Sequence, residues 1–115
     1  MSAPAAPRGL GTAGRRLWKA VVEEFDLTEQ ELALLRQAAR TADLCDRLQA
    51  VVDEEGPMVA AKDDGTRAHP ALVELRQQRI TLARLLVALR VPIGEDEEPA
   101  RTQRRGIRGV YRGAA

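Results

Sequence analysis

The residue types that do chemistry are sparse in this chain and do not gather. One histidine and one cysteine occur in 115 residues. His69 stands directly before Pro70, where a turn or helix-cap role suits it. Cys45 falls on an apolar position of a long helical stretch, where a small core residue suits it. One Cys and one His cannot close a zinc site with soft ligands alone. Neither G-x-x-x-x-G-K-[ST] nor G-x-G-x-x-G is present, so no phosphate loop is expected. Asp63-Asp64 could hold a cation only with ligands from elsewhere, and turn propensity already accounts for the pair beside Gly65. The expectation is a protein without catalysis, cofactor or metal.

What remains is charge. The formal net charge is only +1, yet its parts are segregated. Residues 8–22 carry Arg8, Arg15, Arg16 and Lys19 and no acid; residues 23–55 carry ten acids against three bases; residues 67–90 carry five Arg against one Glu. Local basic patches on a nearly neutral molecule follow. Arg15, Arg16 and Lys19 on one helix, with Arg8 on the arm before it, can neutralise several duplex phosphates. Arg36 and Arg40 can extend that patch from the next helix. Nothing resembles a base-reading code, because phosphate contacts position a protein without carrying sequence information. The chain's end runs Glu95, Asp96, Glu97, Glu98 and then Arg101, Arg104, Arg105, Arg108, Tyr111 and Arg112. Such an arginine-rich segment suits nucleic acid or an acidic protein surface.

The elements that must position these groups read as mainly α: a three-helix core, a helix-turn-helix-like N-terminal pair, a short β-hairpin before the last helix, and disordered tails. Residues 1–11 are Ala/Pro/Gly-rich and are expected to be a disordered arm. Residues 12–55 form the helical pair, with Thr12 expected to cap the first helix and Thr28 the second. Thr28 and Glu31 stand at capping-box spacing, flanked by Leu27 and Leu32 at staple spacing, and no Gly or Pro interrupts until Gly56-Pro57. On this second helix Arg36, Arg40, Asp43, Arg47 and Glu54 read as one exposed polar stripe. Its apolar surface changes side half-way, which predicts an earlier helix against its first half and a later one against its second.

Residues 56–93 read as a hairpin plus a helix. Asp64-Gly65 offers the positive-φ residues of a tight turn, and His69-Pro70 opens a helix with proline at its first position. Leu72, Leu75, Arg79, Leu82, Leu86 and Leu89 repeat at 3-4 spacing, while Val73, Ile80 and Val87 form a second apolar line spaced by sevens. Two apolar faces suggest a partner beyond the chain's own core. Residues 94–115 keep no apolar periodicity and read as a disordered acidic-then-basic tail.

One small domain with tails is all that this length allows. The core is thin: 19 of the hydrophobic residues are Ala, and Trp18, Phe25 and Tyr111 are the only aromatics. Oligomerisation would supply burial that a monomer of this size lacks. A single cysteine excludes an intrachain disulfide and fits a reducing compartment. Neither a membrane-length apolar run nor a signal-peptide core is present, so a cytoplasmic protein is expected.

Gly14-x-x-x-Trp18, then Asp26-Leu27-Thr28 with Glu31, Leu35, Ala38 and Asp43, then Gly56, Gly65 and His69-Pro70 before a Leu-rich helix, resembles the small subunit of phage terminases. The resemblance spans about residues 9 to 91. It implies a non-enzymatic DNA-packaging protein of tailed double-stranded DNA phages or prophages, acting in the host cytoplasm. Such subunits form homo-oligomeric rings, bind viral DNA at the packaging-initiation region, and present it to a separate large subunit with ATPase and nuclease activities. Carried onto this chain, the helices with Arg15, Arg16 and Lys19 would face DNA. The hairpin with Val59, and the helix bearing Val73, Ile80, Leu82 and Val87, would build the subunit interface. The tail would reach the large subunit or DNA, although its acidic-then-Arg/Gly ending departs from the family pattern. Two alternatives stand beside this: a helical adaptor that binds only protein, and a dimeric helix-turn-helix regulator reading a palindromic site.

Overall fold

The computed structural model describes residues 3–90, and every expectation for residues 91–115 (the tail cations Arg104, Arg105, Arg108 and Arg112 and the ring of Tyr111 included) lies outside them. Three helices and one hairpin follow in the order α1 (Thr12–Glu24), α2 (Glu29–Glu55), β1 (Met58–Ala60), β2 (Thr66–Ala68) and α3 (Pro70–Leu89).

α2 is the spine, and its ends are written in its sequence. Thr28 Oγ1 accepts from the Glu31 N–H at 3.1 Å, and Glu31 Oε1 accepts from the Thr28 N–H at 2.8 Å. This reciprocal box satisfies two backbone donors that a helix start otherwise leaves open. Leu27 and Leu32 bracket it and pack against the core. The far end stops at Gly56, whose φ of +87° strains any side-chain-bearing residue. Twenty-seven residues make a rod of about 40 Å at 1.5 Å per residue.

α1 lies on the first half of this rod. Gly14, Trp18, Val21 and Val22 form its buried face, recurring at helical spacing. Opposite them on α2, Leu35, Ala38 and Ala39 are fully buried, and Phe25 fills the corner between the helices. α3 returns along the rod in the opposite sense. His69 at its start meets Glu55 at the end of α2, while Leu89 at its last turn joins the cluster of Leu10, Trp18, Val21, Phe25, Leu35 and Ala39. Leu75 is buried nearer the other end. The molecule therefore has a three-helix base and a two-helix stalk. The prediction that α2 meets different neighbours at its two ends holds for α1; α3 covers both halves.

The hairpin crowns the stalk. β1 and β2 pair antiparallel in the register Met58↔Ala68, Val59↔Arg67 and Ala60↔Thr66. The Ala61 N–H donates to Gly65 O at one end, and the His69 N–H donates to Pro57 O at the other. Of the expected Asp64-Gly65 pair, only Asp64 takes positive φ, at 62°.

Three expectations need correction. Thr12 does not cap α1: Gly11 is the N-cap residue and brings no side chain. Asp43 is not part of an exposed stripe; it is 7% exposed and faces α1. Finally, residues 3–11 are not a disordered arm. They lie on the base, where Leu10 is buried, Ala3 packs against the core, and the Trp18 Nε1–H donates to Pro4 O at 3.0 Å. An extended segment needs no internal hydrogen bonds, so one buried leucine and one indole bond suffice to seat it.

Candidate nucleic-acid interface

The basic groups of α1 owe their position to a buried acid on α2. Asp43 Oδ2 accepts from the Gly11 N–H at 2.7 Å, and its Oδ1 accepts from the Gly14 N–H at 2.8 Å. These are orphan donors of a helix start, where partial positive charge accumulates, so a carboxylate is well placed there. The approach is close enough to require glycine. A Cβ on Gly14 would stand 2.5 Å from Asp43 Oδ2 and 2.7 Å from the Ala39 carbonyl oxygen. The rotation of α1 about its axis is thus fixed at its first turn.

With Gly14, Trp18, Val21 and Val22 turned inward, Arg15, Arg16 and Lys19 are turned out. The Arg15 Nη1 donates to the Leu10 carbonyl and ties the start of the helix to the arm. Arg8 is exposed on that arm, two residues before the buried Leu10. Lys19 meets Glu23 at 4.0 Å, with both side chains mostly in water, a pair too exposed to hold the ammonium against competition. Four cations therefore share the arm and the first two turns of α1. Arg36 is half-buried and Arg40 exposed on α2, four residues apart and hence on one side of it.

The other residues with chemical potential have structural partners. His69 Nδ1 accepts from the Ala71 N–H at 2.9 Å, which places the ring proton on Nε2, and Nε2 lies 2.6 Å from Glu55 Oε1. The histidine caps α3 and clasps it to α2. Cys45 is a half-buried free thiol. Burial pushes it up from its ordinary value; the Arg79 guanidinium pulls the other way and the Asp46 carboxylate adds to the rise. Arg79 itself, at a core-type position of the α3 seam, is exposed and donates from Nη2 to Gln49 Oε1 at 2.6 Å. Among the described residues no three His, Cys, Asp or Glu side chains gather as a metal site, and no helix is long and apolar enough to cross a membrane.

No family model, curated protein or solved structure matches this chain. What it does must be argued from its own surfaces.

Those surfaces include a second feature. Val73, Ile80 and Val87 stand in one line along the outside of α3, 48%, 47% and 72% exposed, and Met58 of β1 is also open to water. Three large apolar side chains at seven-residue intervals lie about 10 Å apart along one side of the helix and form an exposed apolar line. Val59 is half-buried on the hairpin. Leu82 stands apart from the line: it belongs to the row that faces α2 and is half-buried there. Sequence reasoning missed Asp43 as the group that sets α1. The signal was available, since Leu35, Ala39 and Asp43 share one row at four-residue spacing, and the first two are buried.

Proposed function

We propose that this chain is a non-catalytic, self-associating DNA-binding protein that acts as a small terminase subunit, gathering viral duplex DNA for a separate large subunit with ATPase and nuclease activities. The observation that carries the DNA-binding part is the outward face of α1, where Arg15, Arg16 and Lys19 project beside Arg8. Their backbone is locked by Asp43, so the cations are presented on a rigid element. A duplex offers a dense row of phosphates, and three cations over two helical turns with a fourth on the arm match a short stretch of it. The exposed line of Val73, Ile80 and Val87 supports self-association, since water is its costliest neighbour. The packaging role rests on the sequence resemblance described above.

The test is fluorescence anisotropy with labelled double-stranded DNA across a salt series. Wild-type protein should bind at low salt and weaken steeply as salt rises. Reversing Arg15, Arg16 and Lys19 to Glu should abolish binding, and neutralising them singly should reduce the salt slope by about one each. Equal binding by wild type and the triple reversal would sink the α1 interface.

A further inference from the structure

The exposed ridge of α3 has a counterpart on the opposite helix of the same stalk. Along α3, Arg76, Ile80 and Arg84 follow at intervals of four, all exposed, and so form one ridge of the helix surface. Val73 and Val87 extend its apolar content at either end. Along α2, Asp46, Ala50 and Glu54 also follow at intervals of four, and all are exposed. This is the part of α2 between the start of α1 and the hairpin, where the rod's surface is uncovered. One ridge reads cation, large apolar, cation; the other reads anion, small apolar, anion. Both span about 12 Å at 1.5 Å per residue. Among the described residues none of these four charged groups takes part in an ion pair.

We infer that the α3 ridge of one subunit docks along the α2 ridge of a second copy of this chain, with Ile80 seated in the groove beside Ala50 and Arg76 and Arg84 meeting the two carboxylates. The inference rests on the self-association proposed above and names the surface that receives α3. Because the two ridges are different surfaces of one chain, the contact is head-to-tail. Each subunit offers one ridge to each neighbour, so the arrangement propagates or closes into a ring, and it is not a two-fold dimer of α3 on α3. Equal spacing lets ridge residues of one helix enter the grooves of the other. The small side chain of Ala50 leaves room for Ile80 between the charges.

The experiment is charge reversal read by light scattering after size exclusion on the full chain. Two variants are made, Arg76→Glu with Arg84→Glu, and Asp46→Lys with Glu54→Lys. Circular dichroism confirms that each keeps wild-type helicity, as substitutions at exposed positions should. Each variant should fall to the mass of a single 12.6 kDa chain where the wild type is assembled. An equimolar mixture of the two should reassemble, because every contact in an alternating assembly again joins opposite charges. The chain carrying all four reversals should also recover wild-type mass. If the α2 variant assembles like wild type while the α3 variant does not, α3 self-associates by another surface; the head-to-tail contact is overturned and self-association stands. If wild type itself remains a single chain at hundreds of micromolar, both proposals fall. Failure of both the mixture and the fourfold variant to reassemble overturns the ridge pairing alone.

Discussion

Replacing Asp43 tests whether a single buried carboxylate sets the geometry of the base. Its two oxygens accept from the Gly11 and Gly14 N–H groups at 2.7 and 2.8 Å. Asp43→Ala leaves both donors without their acceptor beneath a packed helix. A hydrogen bond to a charged group contributes about 1.5–3 kcal/mol, and loss of a helix cap costs about 0.5–2 kcal/mol. Removing the acid also removes the cost of burying it, so the net loss lies at the low end of two such bonds, about 3 kcal/mol. For a domain of this size each kcal/mol lowers the melting temperature by about 4–8 °C, which makes the expected fall about 12–24 °C. Asp43→Asn retains one acceptor and turns an amide N–H2 toward the other donor; about 2 kcal/mol is expected. Gly14→Ala should cost about 1–3 kcal/mol by forcing α1 outward. It should remain costly in the Asp43→Ala background, because the Ala39 carbonyl stands 2.7 Å from the new methyl whether or not the acid is present. Thermal unfolding followed by circular dichroism reads all four variants. A loss under about 0.5 kcal/mol for Asp43→Ala, the level of an ordinary surface change, would refute the argument.

Three further outcomes follow from named contacts. His69→Ala should lose both the α3 cap and the Glu55 bond, about 1–2 kcal/mol in urea unfolding, whereas His69→Asn keeps the cap and should lose roughly half as much; equal losses would show that the cap contributes nothing. Deleting residues 1–7 removes Ala3 and the Pro4 carbonyl from the single tryptophan, which is 3% exposed, so emission should move to the red; an unchanged spectrum would mean that the arm does not cover Trp18. Burial favours the neutral thiol of Cys45, so its alkylation should be slower than in the urea-unfolded chain. Its rate should also keep climbing with pH beyond the point, about 8.5, where an ordinary cysteine is half-ionised; half-maximal rate below that point would contradict the direction of the shift.

Much of the fold is legible in the sequence wherever a local rule decides. The Thr28–Glu31 box, the stop at Gly56, the His69-Pro70 start and the hairpin are short-range patterns, and each appears where its residues stand. The misses share one cause. Thr12 looked like a cap because its hydroxyl is the nearest one, but the acceptor that α1 uses lies 32 residues from Gly11 along the chain. Asp43 looked exposed because it is charged and sits four residues from Arg47; local charge pairing competed with a tertiary bond and lost. The arm looked disordered because Pro and Gly dominate it, and composition gives no weight to one leucine that finds a cavity. Of the candidate interface, Arg15, Arg16 and Lys19 could be placed on one face from helical spacing. Their fixed rotation could not, since it follows from Gly14 touching Ala39 and Asp43.

The hairpin tip has a use in protein engineering. Residues 62–67 are all exposed, the strands are three residues each, and the base of the loop is already closed by the bond from the Ala61 N–H to Gly65 O. Chain entropy rises slowly with loop length, about 0.6 kcal/mol for each doubling, so a peptide spliced between Asp63 and Asp64 adds little to the cost of folding. The stalk would carry such a cargo beyond the second half of α2, about 18 Å at 1.5 Å per residue from Asp43, which holds the first turn of α1. A fluorophore acceptor or an affinity tag inserted there would report on the molecule without touching the cations of its base.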